Sequence, residues 1–444
     1  MKTIAVATLG CKVNQCESAS FASSFAQAGC QLVPFSGRAD VYVINTCAVT
    51  GRAGQQSRQL IRRAIKTNPE ARLVVTGCYI QMAHQSVLGL TDQPLCLLGN
   101  SFKHLVVASA LAENDCDLTV LMDNIGLKKE ITTLPVSRFP DRTRAFLRIQ
   151  DGCNNFCSYC IVPYTRGRSR SLPLAQVLEQ AAVFVRQGYL EVVITGINVG
   201  KYGLDLAEGE NLVSLLARLC QNFPGIRFRL SSVEPTEVDD PLLNLLAGQP
   251  NFMPHLHIPL QSGDDTVLQK MNRRYRAADY ARVVDLVHRT APHAAIGCDI
   301  LSGFPGETGQ AYDNTRSLLA ELPVTYLHVF PYSRRTGTLA ATMINQVPAS
   351  LNEERVRGLR ALDRRKRVHF HRHHLGSLQM VLVERRNPQS GLLQGFSENY
   401  LPVVFAGSAD LQGSVLPVRL CRLQGDAIFG SAEQSRLEIM PGKR

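Results

Sequence analysis

The sequence predicts an α/β multidomain chain: an N-terminal open parallel α/β domain over residues 1–112, a central partial (β/α)6 barrel over 139–370 and a small C-terminal β-barrel over 375–442. Three observations predict it. Apolar strands alternate with helical segments through the first two regions, the pattern of parallel sheets. Short β segments punctuated by glycines replace that pattern after residue 375. The 444 residues, at roughly 100 to 200 per domain, allow two to four domains.

In the first region the predicted strands are 4–9, 41–45 and 73–76, and a cysteine follows each at once: Cys11, Cys47 and Cys78. Ligand sites of open parallel sheets gather beyond the carboxyl ends of the strands. The three thiols are therefore expected to converge, and an open iron–sulfur cluster is a reading of that convergence. An isolated cysteine is more often a small buried apolar residue. Cys30, Cys96, Cys116, Cys220, Cys298 and Cys421 are read in that way, since none repeats the placement.

The second region opens on a loop carrying Cys153, Cys157 and Cys160 in CxxxCxxC spacing. Four-iron clusters normally take four cysteines, so three thiolates leave one iron free. A structural zinc site wants four ligands, usually paired short-spaced cysteines, and neither a second CxxC nor a nearby histidine supplies them. A disulfide framework is disfavoured because a chain of this length buries a large core without staples. Six strands are predicted, at 146–150, 192–195, 227–231, 255–259, 296–301 and 326–330. In α/β barrels chemistry sits at the carboxyl ends of the strands. Polar and glycine-rich segments stand there: 195–198, 231–234, 261–263 and 303–307. Each alone also reads as turn punctuation.

Residues 351–374 spell an amphipathic helix, with Val356, Leu359, Leu362 and Phe370 at roughly helical spacing and a dense basic face. A solvated face is the usual account of such a run. Together with Arg166, Arg168 and Arg170 beside the cysteine loop, it is read here as contact with an RNA backbone. His369, His371, His373 and His374 have no cysteine near them, and phosphate contact or solvation is preferred to metal binding. The third region shows strands at 380–384, 401–405, 415–421 and 427–429.

Composition bounds the rest. An apolar fraction of 45% indicates globular material, and a net charge of +11 points to a polyanion. The N-terminus lacks the apolar stretch and small-residue cleavage pattern of a signal peptide, and no run reaches a membrane span. A cytoplasmic protein with no membrane or DNA partner is expected.

The CxxxCxxC loop after a strand resembles the hallmark of radical S-adenosylmethionine (radical SAM) enzymes. LGCKVNQ at 9–15, INTCAVT at 44–50 and TGCYIQ at 76–81 extend the resemblance to the methylthiotransferase family, and to its tRNA threonylcarbamoyladenosine branch, over essentially the whole chain. The segment 395–400, GFSENY, resembles the signature of the TRAM module, an RNA-binding β-barrel, although this region is close to neutral by charge count. The resemblance implies two 4Fe-4S clusters, a radical cluster on Cys153, Cys157 and Cys160 and an auxiliary one on Cys11, Cys47 and Cys78, with S-adenosyl-L-methionine on the open iron of the first. Asn198, Glu234, Gln261 and Asp299 are the candidate cofactor contacts. The implied reaction adds a methylthio group to C2 of N6-threonylcarbamoyladenosine, 3′ of the anticodon (position 37), in a tRNA anticodon loop, with an external electron donor and sulfur source. Replacing a hydrogen on an aromatic carbon is beyond ordinary side-chain chemistry. Alternatives are the sibling enzymes for N6-isopentenyladenosine or a ribosomal-protein aspartate, and a non-catalytic iron–sulfur RNA-binding or redox-sensing protein. Cys16 stands where the family tends to carry an aromatic residue. It is inert, an oxidation liability or an alternative ligand, and the inert reading is preferred.

Overall fold

A computed structural model describes residues 1–113, 118–140, 142–206 and 209–433; Cys116 lies outside them. The N-terminal sheet comprises β1 (Thr3–Thr8), β2 (Gln31–Leu32), β3 (Val41–Thr46), β4 (Arg72–Gly77), β5 (Leu95–Leu98) and β6 (Leu118–Leu121). They pair in parallel in the order β2-β1-β3-β4-β5-β6. The central strand β3 is buried at all six positions, as expected of a strand covered on both faces. The three predicted strands are the three adjacent central ones. The other three are very short or lie at the sheet's rim, where apolar patterning is weakest, and β6 carries the sheet past residue 112.

Helix α1 (Lys12–Gln27) shows little amphipathic pattern because protein covers it on more than one side. Phe21 and Phe25 enter the core of the N-terminal sheet, whereas Cys16 and Ala19 enter that of the central barrel. Asn14, Glu17, Ser18 and Ser20 are buried as well. Helix α2 (Gly51–Thr67) is more conventional. The Thr50 side chain caps it by accepting from Ala53 N–H, and Gly54, Ser57, Ile61 and Ala64 line its buried stripe.

The central region is built from two three-stranded parallel sheets. The first holds β7 (Arg144–Arg148), β10 (Glu191–Thr195) and β11 (Arg227–Leu230). The second holds β12 (His255–His257), β13 (Ala295–Ser302) and β14 (Tyr326–Pro331). Parallel bridges Phe228↔Phe252 and Ser232↔His257 join β11 to β12, giving the expected six-strand partial barrel. A short antiparallel pair, β8 (Gln150–Asp151) and β9 (Arg170–Ser171), clasps the base of the cysteine loop.

The long helix Ala349–His373 packs on β14, where Asp363 accepts from Leu327 N–H at 2.7 Å. Val356, Leu359 and Leu362 are buried as the periodicity required, and Phe370 packs against the core of the C-terminal barrel. Two expectations need correction here. His371 and His374 are buried at this junction, and burial lowers His371 to about 4, so neither is a solvated or phosphate-binding group. The C-terminal strands β15 (Leu378–Arg386), β16 (Leu393–Ser397), β17 (Pro402–Phe405), β18 (Val415–Gln424) and β19 (Ala427–Ala432) form a closed barrel in the order β15-β16-β17-β19-β18. Strand β16 escaped the sequence reading because it contains part of the GFSENY segment, read as a motif.

That segment packs on the floor of the central barrel. Arg229 donates to the carbonyls of Glu398 (2.9 Å) and Ser397 (3.2 Å), and Arg144 and Arg229 both lie over the Tyr400 ring.

The N-terminal and central regions are fastened by a buried charge network. Glu17 of α1 accepts from Arg166 (3.0 Å), Lys103 (2.5 Å) and Asn45 (3.0 Å). Arg166 also donates to Asp151 (2.9 Å) and Asn14 (2.5 Å). Burial opposes ionisation of Glu17, but Arg166 and Lys103 outweigh it and hold the carboxyl at about 2. Removing one partner of such a pair strands the other charge. Glu17→Gln is expected to lower stability by about 3 kcal/mol at neutral pH, measured by denaturant unfolding. The Glu17 contribution is full above its ordinary value of 4.5 and drains away as pH falls towards 2. The deficit of the variant should shrink across that window; an unchanged deficit would show that ionisation of Glu17 is not its source.

Candidate functional site

Cys11, Cys47 and Cys78 follow the ends of the adjacent strands β1, β3 and β4, and the parallel register places those ends side by side, with Thr8 opposite Asn45 and Thr46 opposite Gly77. Gly10 and Gly77, each preceding one of the cysteines, hold φ of +95° and +101°, a region that disfavours any side chain. A Cβ on Gly10 would stand 2.6 Å from Cys47 Sγ, and one on Gly77 would stand 2.3 Å from the Thr46 carbonyl. The bare backbone is what lets the strand ends crowd together. The thiols feel one another's charge, and Arg166 lies within electrostatic reach of Cys11 and Cys78. Asn100 Nδ2 approaches Cys78 Sγ at 3.8 Å.

The CxxxCxxC loop is held by a segment more than a hundred residues away. Asn272 donates to the carbonyls of Asn155 (3.2 Å) and Phe156 (3.0 Å), and Ser158 Oγ donates to the Lys270 carbonyl (2.7 Å). Arg273 donates to Cys157 Sγ at 3.3 Å and pairs with Glu234. Nothing in the local sequence marks Asn272 or Arg273, because their partners lie far along the chain. Burial pushes Cys47 and Cys153 up to about 11 and Cys160 to about 12, so a metal binding there displaces protons. Arg166 beside one triad and Arg273 beside the other offset the negative charge that three thiolates bring. Both donor sets are soft, three-membered and backed by a cation, and both suit an iron–sulfur cluster with one iron left open.

The candidate cofactor contacts divide into two groups. Asn198 and Glu234 sit at the cysteine loop: with its side-chain amide turned over, Asn198 donates to Glu237 at 3.0 Å and accepts from Asn155 at 3.3 Å, while Glu234 is tied to Arg273. Gln261, at φ +68°, bridges to β13 through backbone bonds with Asp299 and Leu301. Asp299 faces two imidazoles, with His257 Nε2 at 3.1 Å and His328 Nδ1 at 3.3 Å. Burial opposes its ionisation, but the imidazoles outweigh it and hold the carboxyl well below the usual range.

The arginines beside the loop correct another expectation. Arg166 and Arg170 are buried, the first in the Glu17 network and the second donating to the Arg166 carbonyl at 2.6 Å. Neither can meet an RNA backbone. Arg168 remains exposed and stacks over Phe156.

Residues 3–99 match the model of the uncharacterized protein family UPF0004, and residues 147–319 match the radical SAM superfamily. A threonylcarbamoyladenosine tRNA methylthiotransferase of Bacillus subtilis is 37% identical over 95% of this chain and 94% of its own. That of Thermotoga maritima is 35% identical over 100% and 99%. The chain belongs to the radical SAM methylthiotransferase family. Within it the chain falls in the threonylcarbamoyladenosine branch, while a tRNA-2-methylthio-N(6)-dimethylallyladenosine synthase of Geobacter metallireducens is 31% identical over 97% and 98%. Among solved structures, the radical S-adenosylmethionine methyltransferase TsrM of Kitasatospora setae shares the fold, with a TM-score of 0.54 at 15% identity over 76% of each chain. Membership of the radical SAM superfamily implies S-adenosylmethionine and one 4Fe-4S cluster. No helix among the described residues is long and apolar enough to cross a membrane.

Cys16 lies near this methylthiotransferase site yet points away into the core, donating to the Phe146 carbonyl at 3.4 Å, and burial raises its pKa. Cys16→Ala is expected to leave iron content unchanged and to cost about 1 kcal/mol of stability. Iron analysis after reconstitution checks the first, and a loss of iron would make Cys16 a ligand.

Proposed function

We propose that the chain adds a methylthio group to C2 of N6-threonylcarbamoyladenosine, immediately 3′ of the anticodon in tRNA. The observation that carries this reading is end-to-end similarity to relatives named for that nucleoside, at 37% and 35% identity. In this reading Cys153, Cys157 and Cys160 hold one 4Fe-4S cluster and Cys11, Cys47 and Cys78 hold a second. When bound, the first would supply the electron that turns S-adenosylmethionine into a hydrogen-abstracting radical, and the second would supply sulfur.

The protein's own contribution is placement and charge. Arg273 donates to Cys157 Sγ at 3.3 Å and fixes Glu234 beside the loop, where Glu234 and Asn198 would orient the cofactor, as would Gln261 and Asp299. Arg166 lies within electrostatic reach of Cys11 and Cys78. Because α1 starts at the first triad and packs on the barrel, the two cysteine sets are held at a fixed separation. The partner is a tRNA anticodon loop, whose unstacked bases can be splayed into a protein site, with an external electron donor and sulfur source. The sibling activity on dimethylallyladenosine is the second reading, favoured only by the lower 31% identity.

Triple replacement of Cys153, Cys157 and Cys160 by Ala should leave about half the reconstituted iron, and so should replacement of Cys11, Cys47 and Cys78; loss of all iron from either would sink the two-cluster assignment. The variant lacking Cys11, Cys47 and Cys78 should still form 5′-deoxyadenosine under strong reductant while making no methylthio product. If it is folded, keeps its barrel iron and forms none, the division of labour is wrong. Mass spectrometry of tRNA nucleosides from a deletion strain tests the substrate, which should accumulate as unmodified threonylcarbamoyladenosine.

A further inference from the structure

After β14 the chain runs through a loop, residues 332–341, that touches the segments following Cys47, Cys78, Cys157 and Cys160. Ser333 Oγ accepts from the N–H of Gly51, four residues after Cys47, at 3.0 Å. Gly337, at φ +89°, comes so close to the other walls that a Cβ there would stand 3.4 Å from Met82 Cε and 3.7 Å from Ile161 Cδ1. Met82 lies four residues after Cys78, and Ile161 directly follows Cys160. Ala340 N–H donates to the carbonyl of Ser158, the residue after Cys157, at 2.8 Å. One loop therefore bridges the two cysteine sets.

Arg335 stands in the middle of this loop. Its backbone is fixed, because its carbonyl accepts from Thr338 N–H at 3.1 Å and from Thr338 Oγ1 at 2.8 Å. Its guanidinium reaches the N-terminal wall, where Nη1 would lie 3.8 Å from a Cβ on Gly51. The adjacent Arg334 donates to the Ala341 carbonyl at 2.8 Å. The Arg335 side chain, in contrast, forms no hydrogen bond or ion pair among the described residues, and its Nε is buried. Part of the residue stays open to solvent. A buried N–H without an acceptor is costly unless a ligand supplies one. Cys47 and Tyr79 are within electrostatic reach, but sulfur is a weak acceptor, and the Tyr79 hydroxyl already engages Arg58 (2.7 Å) and Ser86 (2.8 Å). A planar fork with free donors suits an oxyanion.

We propose that Arg335 is a substrate-binding residue that holds an oxyanion of the nucleotide entering between the two cysteine triads. This rests on the two-cluster reading above and deepens it. A carbon that meets a radical generated at one triad and sulfur held at the other has to lie between them, and Arg335 belongs to the loop that bridges that space. The nucleotide brings two kinds of oxyanion, the phosphodiesters on either side of its ribose and the threonyl carboxylate on N6. Each presents paired oxygens to a guanidinium fork. Because the loop is anchored beside both triads, an oxyanion held by Arg335 also fixes where the base stands relative to both reacting partners.

The test uses anticodon stem-loop RNAs bearing threonylcarbamoyladenosine, together with three neutralised versions: its threonyl methyl ester, and a methylphosphonate in place of the phosphate on the 5′ or the 3′ side of that nucleoside. Affinity is measured by fluorescence anisotropy, and KM and kcat by product formation, on the reconstituted enzyme and on Arg335→Gln and Arg335→Lys. One neutralised RNA should bind the unaltered enzyme about tenfold more weakly than the charged parent, and that RNA names the oxyanion. Arg335→Gln should weaken the parent by a similar factor and no longer distinguish it from that neutral version, while Arg335→Lys keeps part of the preference. Iron content and S-adenosylmethionine affinity should not change. The proposal is overturned if Arg335→Gln leaves RNA affinity intact, weakens all four RNAs equally, lowers iron content, or weakens S-adenosylmethionine binding instead. If the unaltered enzyme turns over a dimethylallyladenosine RNA and not the threonylcarbamoyl one, the nucleoside reading fails. The two methylphosphonates, placed in the dimethylallyl RNA, then decide the role of Arg335 separately.

Discussion

The ion network around Glu17 and Arg166 is the constraint on which the rest of the molecule depends. Arg166 ends the short helix Val162–Arg166 that closes the cysteine loop, and Glu17 lies on the helix that begins at Cys11. Their bond therefore joins the two cysteine sets through rigid elements rather than through a linker. Two carboxylates, Glu17 and Asp151, face four cations there: Lys103, Arg148, Arg166 and Arg170. An excess of buried positive charge is expensive alone. Cys11 and Cys78 are among the groups that stabilise charged Arg166, so thiolates at the first triad would offset that excess. The first cysteine triad and the docking of the two regions thus draw on the same electrostatics.

Charge is distributed differently at the two ends of the central barrel. At the carboxyl ends of the strands Arg273 is fixed by close partners, serving a thiol and a carboxylate at once. At the amino ends three arginines converge on Glu191, and the C-terminal barrel supplies further acceptors. In the first turn of α1, Asn14 donates to the Leu9 and Thr46 carbonyls at 2.7 and 3.0 Å.

Much of this was legible in the sequence. Central strands announce themselves by apolar runs, and the cysteines after β1, β3 and β4 gave away the convergence because parallel register aligns strand ends. The CxxxCxxC loop needed only spacing. What stayed hidden was long-range pairing. Arg166 and Arg170 read as contacts for an RNA backbone, since their partners are Glu17, Asp151 and backbone carbonyls that no local pattern reveals. Glu17, Lys103, Asn272 and Arg273 drew no reading from the sequence, because their partners lie far along the chain. His371 and His374 misled for the same reason, because the C-terminal barrel that buries them comes later in the chain. Short strands such as β2 and β5 carry too few residues for alternation to show.

The docking of Tyr400 bears on how the C-terminal barrel can be understood. Its β16 end, through Ser397, Glu398 and Tyr400, furnishes two carbonyls and an aromatic ring to Arg229 and Arg144, while Asn399 reaches the His293 carbonyl at 3.2 Å. Excising residues beyond 374 would therefore not subtract an independent RNA-binding appendage. It would unroof two guanidinium groups of the central barrel, Arg144 and Arg229, and open them to water. The appendage and the vessel share a wall.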